Sequence, residues 1–227
     1  MFLDALTYPV RGNGWIMTLL GAIFSVILDL LQHAPFIGIF VVLFSAGYFG
    51  AFYLDIINAT MTGRDEVPHW PSFGNFLDDI ISPFIRLAGL VLIFRLAGLV
   101  LISFLPALGL LLVHEAAWFI PAMLAAIIYG CFYFPMAVLA SQAFGSLGSA
   151  LPHVVFPAIF RAMPGYLPAV MALVAGFMVC GVIQAFTSDI PFAGWFLTAA
   201  IALYGLMFQG RLIGLIYRKQ KDKLEWE

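Results

Sequence analysis

The chain has 227 residues, 63% of them hydrophobic and 10% charged, with a formal net charge of -2 and a mean hydropathy of +1.05. A soluble domain carries about 25% charged residues, so this composition excludes one. Apolar blocks of roughly 18 or more residues, the length that crosses a bilayer's hydrocarbon core, recur along the chain. They predict an all-α polytopic transmembrane bundle forming a single integral membrane domain over residues 1–227.

In chain order, the opening segment to Gly14 mixes Phe2, Leu3, Leu6 and Tyr8 with Asp4 and Arg11. No small-residue cleavage pattern follows a basic stretch, so it is not read as a cleavable signal. A short helix in the headgroup layer and a plain ordered leader both suit it. Six spans follow, at about 15–31, 36–58, 84–105, 118–142, 166–187 and 192–217. Each is roughly 25 to 39 Å long at the helical rise, enough to cross.

Orientation follows from the basic residues. An even span count puts both termini on one side, and Arg218, Lys219, Lys221 and Lys223 mark that side as cytoplasmic, with Arg11, Arg64, Arg86, Arg161 and Arg211. The opposite side carries His33, His114, Glu115 and Asp189 without Lys or Arg. Trp15 at the inner rim, and Trp118 and Trp195 at the outer rim, suit the interfacial aromatic belt. Two inner segments are longer than turns. Residues 72–82 hold Asn75 as a cap, Asp78 and Asp79 in the first turns, and Phe76, Leu77, Ile80 and Ile81 on one face, as in a helix lying on the membrane. Pro68 and Pro71 stiffen its approach and leave Trp70 to anchor at the headgroups. Residues 144–165, rich in glycine and broken by Pro152, Pro157 and Pro164, predict a second interfacial or re-entrant segment.

The joint after the second span, Thr62-Gly63-Arg64-Asp65-Glu66-Val67-Pro68-His69-Trp70, resembles that of a bacterial membrane-protein family, domain of unknown function 4013. The resemblance is carried by Gly63, Asp65, Pro68 and Trp70, by Phe134-Pro135-Met136, Gly145-Ser146 and Pro164-Gly165-Tyr166-Leu167, and by the tail from Gly210 to Arg218 with Leu224-Glu225-Trp226. It covers most of the chain and implies a helical membrane domain of the bacterial inner membrane, without implying an activity.

Chemistry-bearing residues are few. Arg95 falls about 18 Å into the third span, where a charge costs from about 3 to over 10 kcal/mol and must face protein or a polar cavity. Tyr129 and Tyr204 lie near its level and are candidate partners; a structural arginine satisfied within the bundle is the competing reading. Arg86-Leu-Ala-Gly-Leu-Val-Leu-Ile repeats from Arg95, a step that turns the two arginines to opposite faces. On the outer face His33, His114, Glu115 and Asp189 are weak ligand candidates, against ordinary interfacial polarity. His114-Glu115 opens like a zinc-protease helix, yet Trp118 stands where the second histidine belongs. Cys131 and Cys180 differ in estimated depth by about 10 Å and are read as packing residues. Small-residue pairs such as Ala172/Gly176, Gly181/Ala185 and Gly210/Gly214 offer close helix approach.

No catalytic set, cofactor or metal site is expected, and no nucleic-acid partner. The expected role is a non-enzymatic structural or accessory subunit of a membrane complex, with the bilayer and other membrane subunits, or further copies, as partners. The alternatives are a small transporter with Arg95, Gln142, Gln184 and Gln209 along a polar path, and a metal- or lipid-handling enzyme on the outer face.

Overall fold

The architecture comes from a computed structural model that describes residues 1–35, 37–71, 119–187, 190 and 193–226, with single positions at 82, 85 and 89; side chains of residues 119–127 are outside the description. Six α-helices and two 3₁₀ turns account for these residues, with no strand among them. They are α1 (Phe2–Thr7), α2 (Gly14–Gln32), α3 (Gly38–Met61), α4 (Phe119–Phe144), α5 (Pro152–Thr187) and α6 (Ala193–Leu224). The 3₁₀ turns are Tyr8–Val10 and Leu147–Ala150. Four helices, α2, α3, α5 and α6, are long and apolar enough to cross a membrane. α4 has the length of a fifth, with Ile128–Phe144 as its described apolar part. The predicted span 84–105 and the predicted amphipathic segment 72–82 lie outside the described residues, apart from those single positions.

α6 is the hub, and the most buried of the four candidate spans. It packs most extensively on α5, then on α3 and α2. The reason is legible in its small residues. A Cβ built on Gly214 would lie 2.4 Å from the Cβ of Thr60, and one on Gly210 would lie 3.0 Å from Ile56. Two glycines four apart thus let α6 seat directly on α3. Gly176 does the same for α5, where Phe208 of α6 fills the space a side chain would take. The Gly181/Ala185 pair makes no comparable approach, since nothing lies within 4 Å of a Cβ on Gly181.

The prediction for 144–165 is corrected. α5 runs unbroken for 36 residues through Pro157, Pro164 and Pro168, and the predicted fifth span is only its second half. The three prolines share one face, and all three are exposed. Val155, Ala158, Ile159, Ala162, Tyr166, Ala169, Val170 and Leu173 form the buried face opposite. Missing N–H groups therefore fall away from the core, where they bend the helix without opening the packed side. The actual break is Gly145, whose φ of +63° ends α4. At roughly 54 Å, α5 outruns a hydrocarbon core of about 30 Å.

The ends of the helices sort into two poles. The start of α2, the end of α3, the end of α4, the start of α5 and the end of α6 meet at one of them. Asp4–Arg11, Asp65–Arg218 and Arg161–Glu225 ion pairs mark it, as does Trp226 against Phe144 and Tyr217. Trp15 and Trp195, both more than half exposed, stand near opposite poles as an interfacial belt requires.

Candidate functional site

The charged pole is organised by one residue. Arg211 is 1% exposed and is the largest fully buried side chain among the described residues. It projects from α6 between Gly210 and Gly214, where α3 comes closest. Its Nε donates to Asp4 Oδ2 at 3.0 Å, and its Nη2 to Asp65 Oδ1 at 2.6 Å. Nη1 donates to the Arg64 carbonyl at 3.0 Å and lies 3.5 Å from the Thr60 hydroxyl. The guanidinium also rides over the Tyr8 ring, 4.9 Å from its centroid. A charge taken out of water survives only with such full pairing. Asp4 in turn accepts from Arg11 at 2.5 Å, and Asp65 from Arg218 at 3.1 Å. Arg11, Arg211 and Arg218 thus close around two carboxylates.

Each partner is delivered by local structure. Gly63, at φ +86°, adopts the left-handed conformation that ends α3. Its N–H bonds the Thr60 carbonyl, and the Arg64 N–H bonds that of Ala59, which turns the chain back on itself and aims Asp65 at Arg211. The residues that follow, Arg64–Pro71, form an extended strap. Tyr8 donates its hydroxyl to the Glu66 carbonyl at 3.1 Å, pinning the strap to the turn before α2. Pro68 and Pro71 lack the N–H that a strap off the helical pattern would leave unsatisfied.

Trp70 is not at the headgroups, as the sequence suggested. Its ring stacks on Phe52 at 4.1 Å and on Tyr48 at 5.5 Å, and fills the hollow at Gly21. That places it roughly 13 to 20 Å back along α3 from Met61. The aromatic run on α3 gives the indole more contact than the interface would.

Asp65 is held below the usual carboxylate range, chiefly by its hydrogen bond from Arg211. Burial works against Asp4, yet hydrogen bonds and charge from Arg11 and Arg211 leave its carboxyl lowered as well. Burial pushes the Tyr8 phenol up to about 12, so it stays a neutral donor. Beside the centre opens a cavity of about 400 Å³, lined by Met1, Asp4, Asp65, Arg211, Leu215, Arg218 and Lys219.

No protein-family model, curated protein or solved structure matches the chain. The site therefore has to be read from its own geometry.

Of the residues singled out by sequence, Gly63, Asp65, Pro68 and Trp70 are brought together in the strap. Arg95, His114, Glu115 and Asp189 lie outside the described residues. The two proposed partners of Arg95 are engaged elsewhere. Tyr204 donates to the Leu6 carbonyl of α1, and Tyr129 stacks on Tyr133 at 5.1 Å. His33 is exposed, its Nδ1 2.7 Å from the carbonyl of Asp29 on its own helix. Among the described residues no group of three or more His, Cys, Asp or Glu could hold a metal ion. Gln142 and Gln184 sit near opposite poles, and Gln184 bonds the Thr198 carbonyl at 3.3 Å. Cys131 and Cys180 are free thiols.

Arg211 itself was counted from sequence only as an inner-side cation. Its burial had a signal. An arginine enclosed by a Gly-x-x-x-Gly pair stands on the closest-approach face of its helix, and cannot reach water without prying that face open.

Proposed function

We propose that the chain is a non-enzymatic membrane protein that acts as a structural or accessory subunit of a larger membrane assembly. The observation that carries this reading is the closure of the Arg211 centre. Its donors are spent on Asp4, Asp65, Thr60 and Arg64 of the same chain, so the deepest charge in the described fold serves architecture. What is left outward is apolar. Phe177, Met178, Val182 and Phe186 on the second half of α5 are 68, 65, 57 and 78% exposed. Faces of that kind suit lipid or a partner's helices.

On this reading the charged pole faces the cytoplasm of a bacterial inner membrane, in keeping with the positive-inside rule, and six spans place both termini there. Kinship with domain of unknown function 4013 belongs to the same proposal. It is supported by the separate structural task of each joint residue: Gly63 turns the chain, Asp65 pairs with Arg211, Pro68 spares a donor and Trp70 fills the α2–α3 groove.

The test is a photocrosslinking amino acid placed at Phe177 or Phe186 in cells, followed by mild-detergent purification and mass spectrometry. A single, stoichiometric protein adduct is expected. Adducts to lipid alone, with the chain purifying without company, would sink the subunit reading.

A further inference from the structure

The Arg211 centre carries more positive charge than it consumes. Arg211, Leu215, Arg218 and Lys219 recur along one stripe of α6 and line one wall of the cavity. Arg211 forms the floor and is saturated. Arg218 and Lys219 lie roughly 10 to 12 Å nearer the pole, at the mouth. Arg218 uses Nη1 on Asp65, and among the described residues Lys219 makes no ion pair. Counted with Arg11, four cations stand around the two carboxylates Asp4 and Asp65. The remaining donors at the mouth call for an anion.

The opposite wall says which kind. α1 sends Asp4 to the centre, while Phe2, Leu3 and Leu6 beside it are 45, 73 and 38% exposed. An anion seated at Arg218 and Lys219 thus has apolar surface next to it, as an acylated ligand needs and a free ion does not. We infer that this cavity is a headgroup site for an anionic phospholipid. The phosphodiester sits between Arg218 and Lys219, and the acyl chains run along α1. The guanidinium fork and the ammonium supply charge-assisted hydrogen bonds to the phosphate, and the buried Arg211 adds its field from below. This site is independent of the subunit reading, since a lone protein would hold the lipid equally well.

Native mass spectrometry of the intact chain in detergent tests it, with phosphatidylglycerol, phosphatidylcholine or inorganic phosphate added. The wild type is expected to retain one phosphatidylglycerol with about tenfold preference over phosphatidylcholine. R218Q/K219Q should lose that preference, while K221Q/K223Q, which removes equal charge beyond the cavity, should keep it. Arg218 is an exposed pair worth at most about 1 kcal/mol, so the double variant is expected to fold, and its melting temperature checks this. Equal loss in both double variants would mean diffuse surface charge and overturn the site. So would unchanged preference in R218Q/K219Q, or phosphate that displaces the lipid as a stronger ligand.

Discussion

At the scale of the residue, Arg211 inverts the usual ranking of its partners. Asp65 is 61% exposed and Asp4 30%, whereas the arginine side chain is 2% exposed. Losing the arginine leaves two carboxylates that can hydrate and still hold Arg11 and Arg218. Losing both carboxylates leaves a buried cation with only Thr60 and a carbonyl. The double substitution D4N/D65N should therefore cost about 3 to 5 kcal/mol, and Arg211→Met less, by detergent unfolding. The reverse order would mean that the carboxylates, not the guanidinium, bear the desolvation. Acid should act on the same centre. Both carboxyls are held below their ordinary value, so their contribution is complete above about pH 4 and is lost as pH falls through the lowered pKa. Melting temperature should drop on acidification below that point, and drop less in D4N/D65N. A wild-type curve flat to pH 2 would remove the centre from the stability of the fold.

At the scale of the element, the glycines separate contact from composition. Gly214→Ala forces a methyl against Thr60 and the Ile57 carbonyl and should cost about 1 to 3 kcal/mol. Gly181→Ala meets nothing and gains helix propensity, so it should be neutral or stabilising by up to about 1 kcal/mol. The tryptophans divide the same way. Trp70→Ala removes the stack on Phe52 and Tyr48 and should cost about 2 to 4 kcal/mol, while exposed Trp15→Ala stays within about 0.5. Sequence reading was accurate where hydrophobic length decides: 15–31 against Gly14–Gln32, and 36–58 against Gly38–Met61. It failed at α5, because glycine and proline were weighed as breakers one by one. Their common face, which makes them harmless to packing, only shows once the helix is assumed. It also missed the strap's inward course. The proline spacing and Trp70 were visible, but the groove that accepts them belongs to α2 and α3 together.

At the scale of the whole molecule, the two poles make a sidedness prediction. With Cys131 and Cys180 replaced by alanine, a cysteine at Gln32 and one at Lys221 report opposite poles. A membrane-impermeant maleimide added to intact cells should label the first and spare the second until the cells are opened. Labelling of both, or of Lys221 alone, would overturn the proposed orientation. The Asp4–Arg211 pair has a temporal consequence as well. It joins positions 207 residues apart, and Asp65 waits 146 residues for the same arginine. During synthesis the two carboxylates emerge first and stay hydrated at the membrane surface, and the groove on α3 stays open. Only the last helix carries the counter-charge that draws them in. Arrival of α6 is thus the step that converts a set of inserted helices into a folded protein, and a nascent chain arrested before residue 211 should remain open to protease at the strap.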